Sequence, residues 1–319
     1  MNNSKRIDWV DLLKGFAILW LVVYHFYAIR WLRSPVPVFF FLSGMFYSDG
    51  ASFGVFIRKK AKALIVPFLF FFALGVMAAE VSAMITGSSH FDWGKTMRLF
   101  TLIPVEGNVK NPLGVGAIWF LPSLFELYLF YWLMRRLTQN KLWLIAMSVM
   151  ALVASCLFQR HFAMGSLCYL FYSMGFLVYF VAGNLLKDAV LEGRFDRWLF
   201  LAACLGIATI IPTLDGAWGL LRYRAFALGC TLLLVQLFKR IPLASKDCFF
   251  RRLVLFEGRN SLTILGTHLV AMGGVKIMLN RFLAESISYW VMMFIFIVIV
   301  SNLTVVTFNR YVPYLVNHK

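Results

Sequence analysis

Three ionisable residues stand at helical spacing in the first apolar stretch of the chain: Asp11, Lys14 and His25. At about 100° per residue, the step from Lys14 to His25 ends only about 20° past three full turns. The two therefore share one face, roughly 16 Å apart along the axis. Asp11 and Lys14 are spaced i,i+3 and can pair. A polar stripe thus runs from one end of the helix deep into its apolar part. The bland account of Asp11 and Lys14 is an ion pair that anchors a helix end at a membrane surface. For His25 it is a ring bonded to a nearby carbonyl. The chemical account is a proton carrier, because imidazole titrates near neutral pH and suits general-base work on a hydroxyl.

Charged groups within apolar segments are costly and are functional candidates by default. His268, Glu126, Arg222 and Arg224 are further examples. Glu126 is read as the partner of one of the two arginines, with a general base as the alternative. The run Arg58, Lys59, Lys60 and Lys62 precedes Pro67. It serves as an anchor on the cytoplasmic side, or as a site where several cations meet a phosphorylated ligand. Ser43 and Gly44 break an aromatic segment, where small residues allow close helix approach. The five cysteines have no metal spacing, and no metal site is expected. No nucleophile elbow, Walker loop, HExxH or dinucleotide fingerprint is present.

The elements that must position these groups follow from composition. The chain has 319 residues, 61% hydrophobic and only 14% charged, with a mean hydropathy of +0.78. A soluble domain is about 25% charged, so an ordinary soluble protein and a disordered chain are both excluded. Ten apolar segments are expected, at 10–29, 36–48, 64–85, 116–134, 142–159, 166–186, 198–214, 218–238, 260–280 and 288–309. Backbone polar groups in lipid must be satisfied internally, so these segments must be helices. The expected fold is all-α: a polytopic integral membrane protein of about ten transmembrane helices, with residues 1–319 forming a single domain and no soluble second one. The net charge of +17 needs no nucleic acid. With the N-terminus placed inside, roughly two-thirds of the basic residues sort to that side, which puts both termini in the cytoplasm. The longest outward loop is 86–115 and the longest inward one 239–259.

The opening Asp8-Trp9-Val10-Asp11-Leu12-Leu13-Lys14-Gly15, followed by Val22-Val23-Tyr24-His25, resembles the start of membrane acyltransferase family 3. Four later blocks agree in order: Phe39-Phe40-Phe41-Leu42-Ser43-Gly44, the basic run ending in Pro67, Trp119-Phe120-Leu121 with Glu126 and Tyr128, and Gly258-Arg259-Asn260-Ser261-Leu262 with His268. Lys14 departs from the Arg of many members and resembles the fucose 4-O-acetylase-like branch. Lysine keeps the charge but loses the bidentate fork.

The resemblance implies an acyl-CoA-dependent enzyme in a bacterial inner membrane. It would move an acyl group, usually acetyl, from cytoplasmic acyl-CoA to a hydroxyl of a cell-surface glycan or lipid-linked sugar precursor. On that reading His25 is the catalytic base or acyl carrier, and Asp11 and Lys14 orient it or contact the donor. Arg58, Lys59, Lys62 and Trp119 would hold the CoA donor, while Ser43, Asn260, Ser261 and His268 remain further candidates around the reacting atoms. The alternative from another class is a transporter or flippase for a polar or lipid-linked glycan.

Overall fold

The computed structural model describes residues 7–27, 35–48, 50, 52–87, 117–161, 173–193, 196–208, 217–240, 248–279 and 287–312. The outward loop 86–115, with His90, Asp92, Trp93, Glu106, Asn111 and Pro112, lies almost wholly outside these residues. So do the two chain ends and the first third of the expected 166–186 segment.

Every regular element among the described residues is a helix: α1 (Asp8–Tyr27), α2 (Val36–Met45), α3 (Phe53–Thr86), α4 (Phe120–Leu137), α5 (Lys141–His161), α6 (Leu177–Glu192), α7 (Asp196–Ala208), α8 (Ala217–Arg240), α9 (Phe249–Arg259), α10 (Ser261–Leu279) and α11 (Ile287–Tyr311). Parts of five are long and apolar enough to cross a membrane: Phe53–Ile85, Lys141–Phe158, Gly219–Arg240, Ser261–Leu279 and Tyr289–Tyr311. The outward faces carry large apolar side chains, for example Leu142 and Met150 on α5 and Val291, Ile295 and Leu303 on α11. In water so much exposed apolar surface would drive aggregation. Against lipid tails it is the required exterior.

Two boundaries differ from the sequence expectation. Helix α3 starts at Phe53, not near residue 64, because nothing in 53–63 breaks a helix. The basic run is therefore its second and third turns, not a loop. The inward loop 239–259 also contains a helix of its own, α9, with Val254, Leu255, Glu257 and Gly258 buried and Phe249 and Phe250 exposed.

Bare backbone contacts lock the packing. A Cβ at Gly15 would overlap the Val254 carbonyl oxygen, and one at Gly258 would overlap the Asp11 carbonyl oxygen. Helices α1 and α9 therefore touch backbone to backbone through a reciprocal glycine pair. Gly44 of α2 and Gly183 of α6 form a second such pair, against the carbonyls of Phe180 and Phe41. Without a hydrophobic drive between helices in lipid, close approach of small residues is a main source of association. Around these crossings α10 packs on α11, α3 and α1, while α8 packs on α7, α5 and α1.

Candidate functional site

The N-terminal end of α1 is an ion-pair network. Asp11 faces Lys14 at 3.9 Å and the Arg259 Nε at 3.6 Å. Asp8, one turn earlier, meets Arg251 at 3.5 Å and Arg259 at 3.9 Å. The arginines come from α9, held against α1 by the Gly15–Gly258 crossing. Asp11 is buried, and opposite charge must compensate a carboxylate taken from water. Asp8, Arg251 and Arg259 were missed as members of this cluster. The i,i+3 pair of acids opening α1 was the available signal, but their partners lie about 240 residues away in sequence.

Deeper in the bundle α1 meets α10, and the two histidines come together. His268 Nε2 is 3.2 Å from His25 Nδ1. His268 Nδ1 lies 2.8 Å from the Ile264 carbonyl oxygen and 3.1 Å from that of Leu265. A carbonyl only accepts, so His268 carries its proton on Nδ1 and its Nε2 holds a lone pair. His25 Nδ1 must then donate to that lone pair. This network logic assigns the protons. It leaves the neutral His25 with its Nε2 lone pair available to take a proton. His268 is buried; His25 is only partly so.

A cavity of about 200 Å³ lies between α1, α2, α3, α4 and α10, lined by Ile18, Leu21, Val36, Phe39, Ala63, Leu64, Phe120, Leu121, Ser261, Leu262 and Leu265 but by neither histidine. Its α1 wall is the stripe between Lys14 and His25, since Ile18 and Leu21 fall about 40° and −20° from Lys14 at 100° per residue. Leu21 and Leu265 stand about one turn from His25 and His268. Ala63 stands one turn beyond Lys59 on α3. Arg58, Lys59 and Lys62 are exposed, and at helical spacing they share one side of α3. Lys60 turns inward, its ammonium 3.5 Å from the centre of the Tyr128 ring. A cavity of this size is below the roughly 300–1,000 Å³ of sites that enclose a drug-sized ligand. It admits a thin chain and leaves a nucleotide outside.

The remaining candidates separate. Ser261 lines the cavity at the start of α10. Asn260 uses both ends of its amide elsewhere, donating to the Phe256 carbonyl at 2.7 Å and accepting from Asn309 at 3.0 Å. The Ser43 carbonyl accepts from Tyr128 at 3.3 Å, beside the Gly44 crossing. Trp119 packs in an aromatic group with Phe40 and Phe176, and the buried Arg224 guanidinium lies 4.0 Å from the Phe176 ring. Glu126 stands beside Ser173, which accepts from Ser123 at 2.8 Å. Among the described residues no ion pair joins Glu126 to Arg222 or Arg224, contrary to the pairing expected from sequence, because α4 turns it toward the serines. No group of three metal-ligating side chains occurs among the described residues.

No curated protein and no solved structure gives a match to this chain. A family model does: the acyltransferase domain Acyl_transf_3 matches residues 7–306. That stretch holds the α1 stripe, the basic turns of α3, the cavity and both histidines. The chain belongs to acyltransferase family 3 and is a membrane acyltransferase.

Proposed function

We propose that the chain transfers an acyl group, acetyl in the simplest case, from cytoplasmic acyl-CoA to a hydroxyl of a cell-surface glycan or lipid-linked sugar precursor. The observation that carries the reading is the His25–His268 pair one helical turn from Leu21 and Leu265, which line an apolar cavity, while Arg58, Lys59 and Lys62 form an exposed basic face on α3. In this reading the phosphates of CoA dock on Arg58, Lys59 and Lys62, where charge-assisted bonds favour them. The pantetheine arm and its thioester thread the cavity past Ile18 and Leu21. His25 Nε2 takes the proton of the acceptor hydroxyl as its oxygen attacks the thioester carbonyl. The C–S bond then breaks, and the thiolate receives the proton from the imidazolium. The products are the O-acyl ester and free CoA. His268 holds His25 in the tautomer that leaves Nε2 unprotonated. The network of Asp8, Asp11 and Lys14 with α9 fixes the start of the helix that carries His25. Ser261, on the cavity wall, is the candidate donor to the developing oxyanion. About ten spans, with both ends in the cytoplasm, complete the proposed topology.

The test uses the purified chain in lipid vesicles with acetyl-CoA and a glycan acceptor. Release of CoA thiol that requires the acceptor, together with an acceptor heavier by one acetyl group in mass spectrometry, supports the reading. Thiol release at the empty-vesicle rate, with no acceptor modified across a panel of sugars, refutes it.

A further inference from the structure

A second cavity lies well away in sequence from the one lined by Ile18 and Leu21. It measures about 410 Å³, opens to the outside, and is lined by Gly193, Asp196, Arg197, Trp198 and Arg240. It sits where the end of α6, the start of α7 and the end of α8 meet. Its charges are unbalanced toward positive. The Asp196 carboxylate is held by Lys239, at 3.1 and 3.4 Å, and also pairs with the Arg240 guanidinium at 4.0 Å. With Arg197, three cations thus stand against this one acid, which leaves two positive charges in excess. Arg240 has a side chain 53% exposed. Arg197 is exposed and makes no ion pair or hydrogen bond among the described residues. Two arginines on one concave surface suit an oxyanion with several oxygens, because the planar fork binds phosphate in pairs of parallel bonds.

The surroundings say which phosphate. Trp198 is 68% exposed, at the point where α7 leaves the charged end of the bundle. An exposed indole at such a boundary belongs to the headgroup level of a membrane. From Trp198 an apolar stripe continues along α7 through Leu201 and Leu205, 47% and 62% exposed. At 100° per residue these three fall within about 60° of one another. On the neighbouring helix, Leu237 stands one turn before Arg240 and is 48% exposed. A soluble phosphate ester would use the arginines and leave the stripe bare. A phospholipid uses both, with its phosphate on the guanidinium groups, its glycerol against Trp198 and its acyl chains along the leucines. We infer that this cavity, formed where α6, α7 and α8 meet, is a binding site for the headgroup of an anionic phospholipid. The inference is independent of the acyl-transfer chemistry.

The experiment incubates the purified full chain in detergent with equal amounts of phosphatidylglycerol and phosphatidylcholine. The lipid that survives gel filtration is then quantified by mass spectrometry. The wild type is expected to retain phosphatidylglycerol preferentially. Two basic residues at a membrane surface strengthen binding of an anionic lipid by roughly thirty-fold, so the Arg197→Ala/Arg240→Ala variant is expected to lose most of that preference. The Arg197→Lys/Arg240→Lys variant keeps the charge but loses the bidentate fork, so it is expected to retain part of the preference, between the wild type and the alanine variant. Trp198→Ala is expected to reduce retention of both lipids. Equal retention of phosphatidylglycerol by the wild type and the alanine variant overturns the assignment. Displacement of the lipid by millimolar coenzyme A also overturns it, and identifies a soluble phosphate ester as the ligand.

Discussion

Replacing His268 by Phe tests the roles within the histidine pair, because the geometry makes the two residues unequal. His268 Nδ1 is committed to the carbonyls of Ile264 and Leu265, and its Nε2 only receives a proton-bearing neighbour. Phenylalanine keeps an aromatic ring there, somewhat larger than imidazole, and removes the acceptor for His25 Nδ1. One hydrogen bond that orients the base is thereby lost. A net intramolecular hydrogen bond is worth about 0.5–1.5 kcal/mol. At about 1.4 kcal/mol per factor of ten, kcat should fall roughly two- to twelve-fold. The KM for acyl-CoA should hold, since no donor-binding group is touched. Removing a general base costs far more, typically 10²–10⁴ in rate, so His25→Ala should be the more damaging by at least about eightfold. The two losses should not add: His25→Ala/His268→Phe should be no slower than His25→Ala alone, because an orienting residue without its base has nothing to orient. Steady-state kinetics in one lipid vesicle preparation measures all three. The reasoning is refuted if His268→Phe is as damaging as His25→Ala, or if the double variant shows the product of the two single losses.

Other expectations follow from the packing and the charges. Gly44→Ala places a methyl group on the Phe180 carbonyl and should cost about 1–3 kcal/mol of stability, as overpacking does. Gly274→Ala, in an open helical position with nothing within 4 Å, should instead stabilise by up to about 1 kcal/mol; thermal unfolding in detergent should move the two in opposite directions. Neutralising Arg58, Lys59 and Lys62 one at a time should raise the KM for acyl-CoA up to roughly tenfold each, with kcat unchanged and the effect shrinking as salt is raised. Glu257 is buried at the α9–α11 contact, where Asn302 donates to it at 2.7 Å. Burial pushes its carboxyl above the ordinary range, only partly offset by the Asn302 bond. A raised carboxyl stabilises the fold while protonated, and that contribution is lost as pH rises through the native value. Melting curves should therefore show stability falling as pH rises above the ordinary carboxylate value of about 4.3, and Glu257→Gln should flatten that slope.

Much of the site was legible because it lies within single helices. The stripe of Asp11, Lys14 and His25 follows from the helical repeat, and its cavity-facing members Ile18 and Leu21 occupy the same face. The basic face of α3 was visible as composition, but its helix was not. A count of apolar residues stops at the charges, although no residue in 53–63 ends a helix. Helix α9 was hidden for the same reason: its buried face is only Val254, Leu255, Glu257 and Gly258. What no local pattern carries is the meeting of distant helices. His25 and His268 stand in the sequence as two separate buried imidazoles. Their contact depends on α1 crossing α10, which is fixed in turn by the glycine crossing of α1 with α9. Asn260 matches the family motif by position, yet its amide is spent on Phe256 and Asn309 at the α9–α10 junction. Only tertiary packing reveals such an engagement.

The most direct test of the central claim is the acceptor-dependent rate of acetyl transfer from acetyl-CoA by purified His25→Ala protein in lipid vesicles, beside the wild type. The expected result is a fall in kcat of about 10²–10⁴, with acetyl-CoA still bound and the thermal unfolding midpoint unchanged. Transfer at the wild-type rate would contradict the assignment of His25 as the base and, with it, the proposed mechanism.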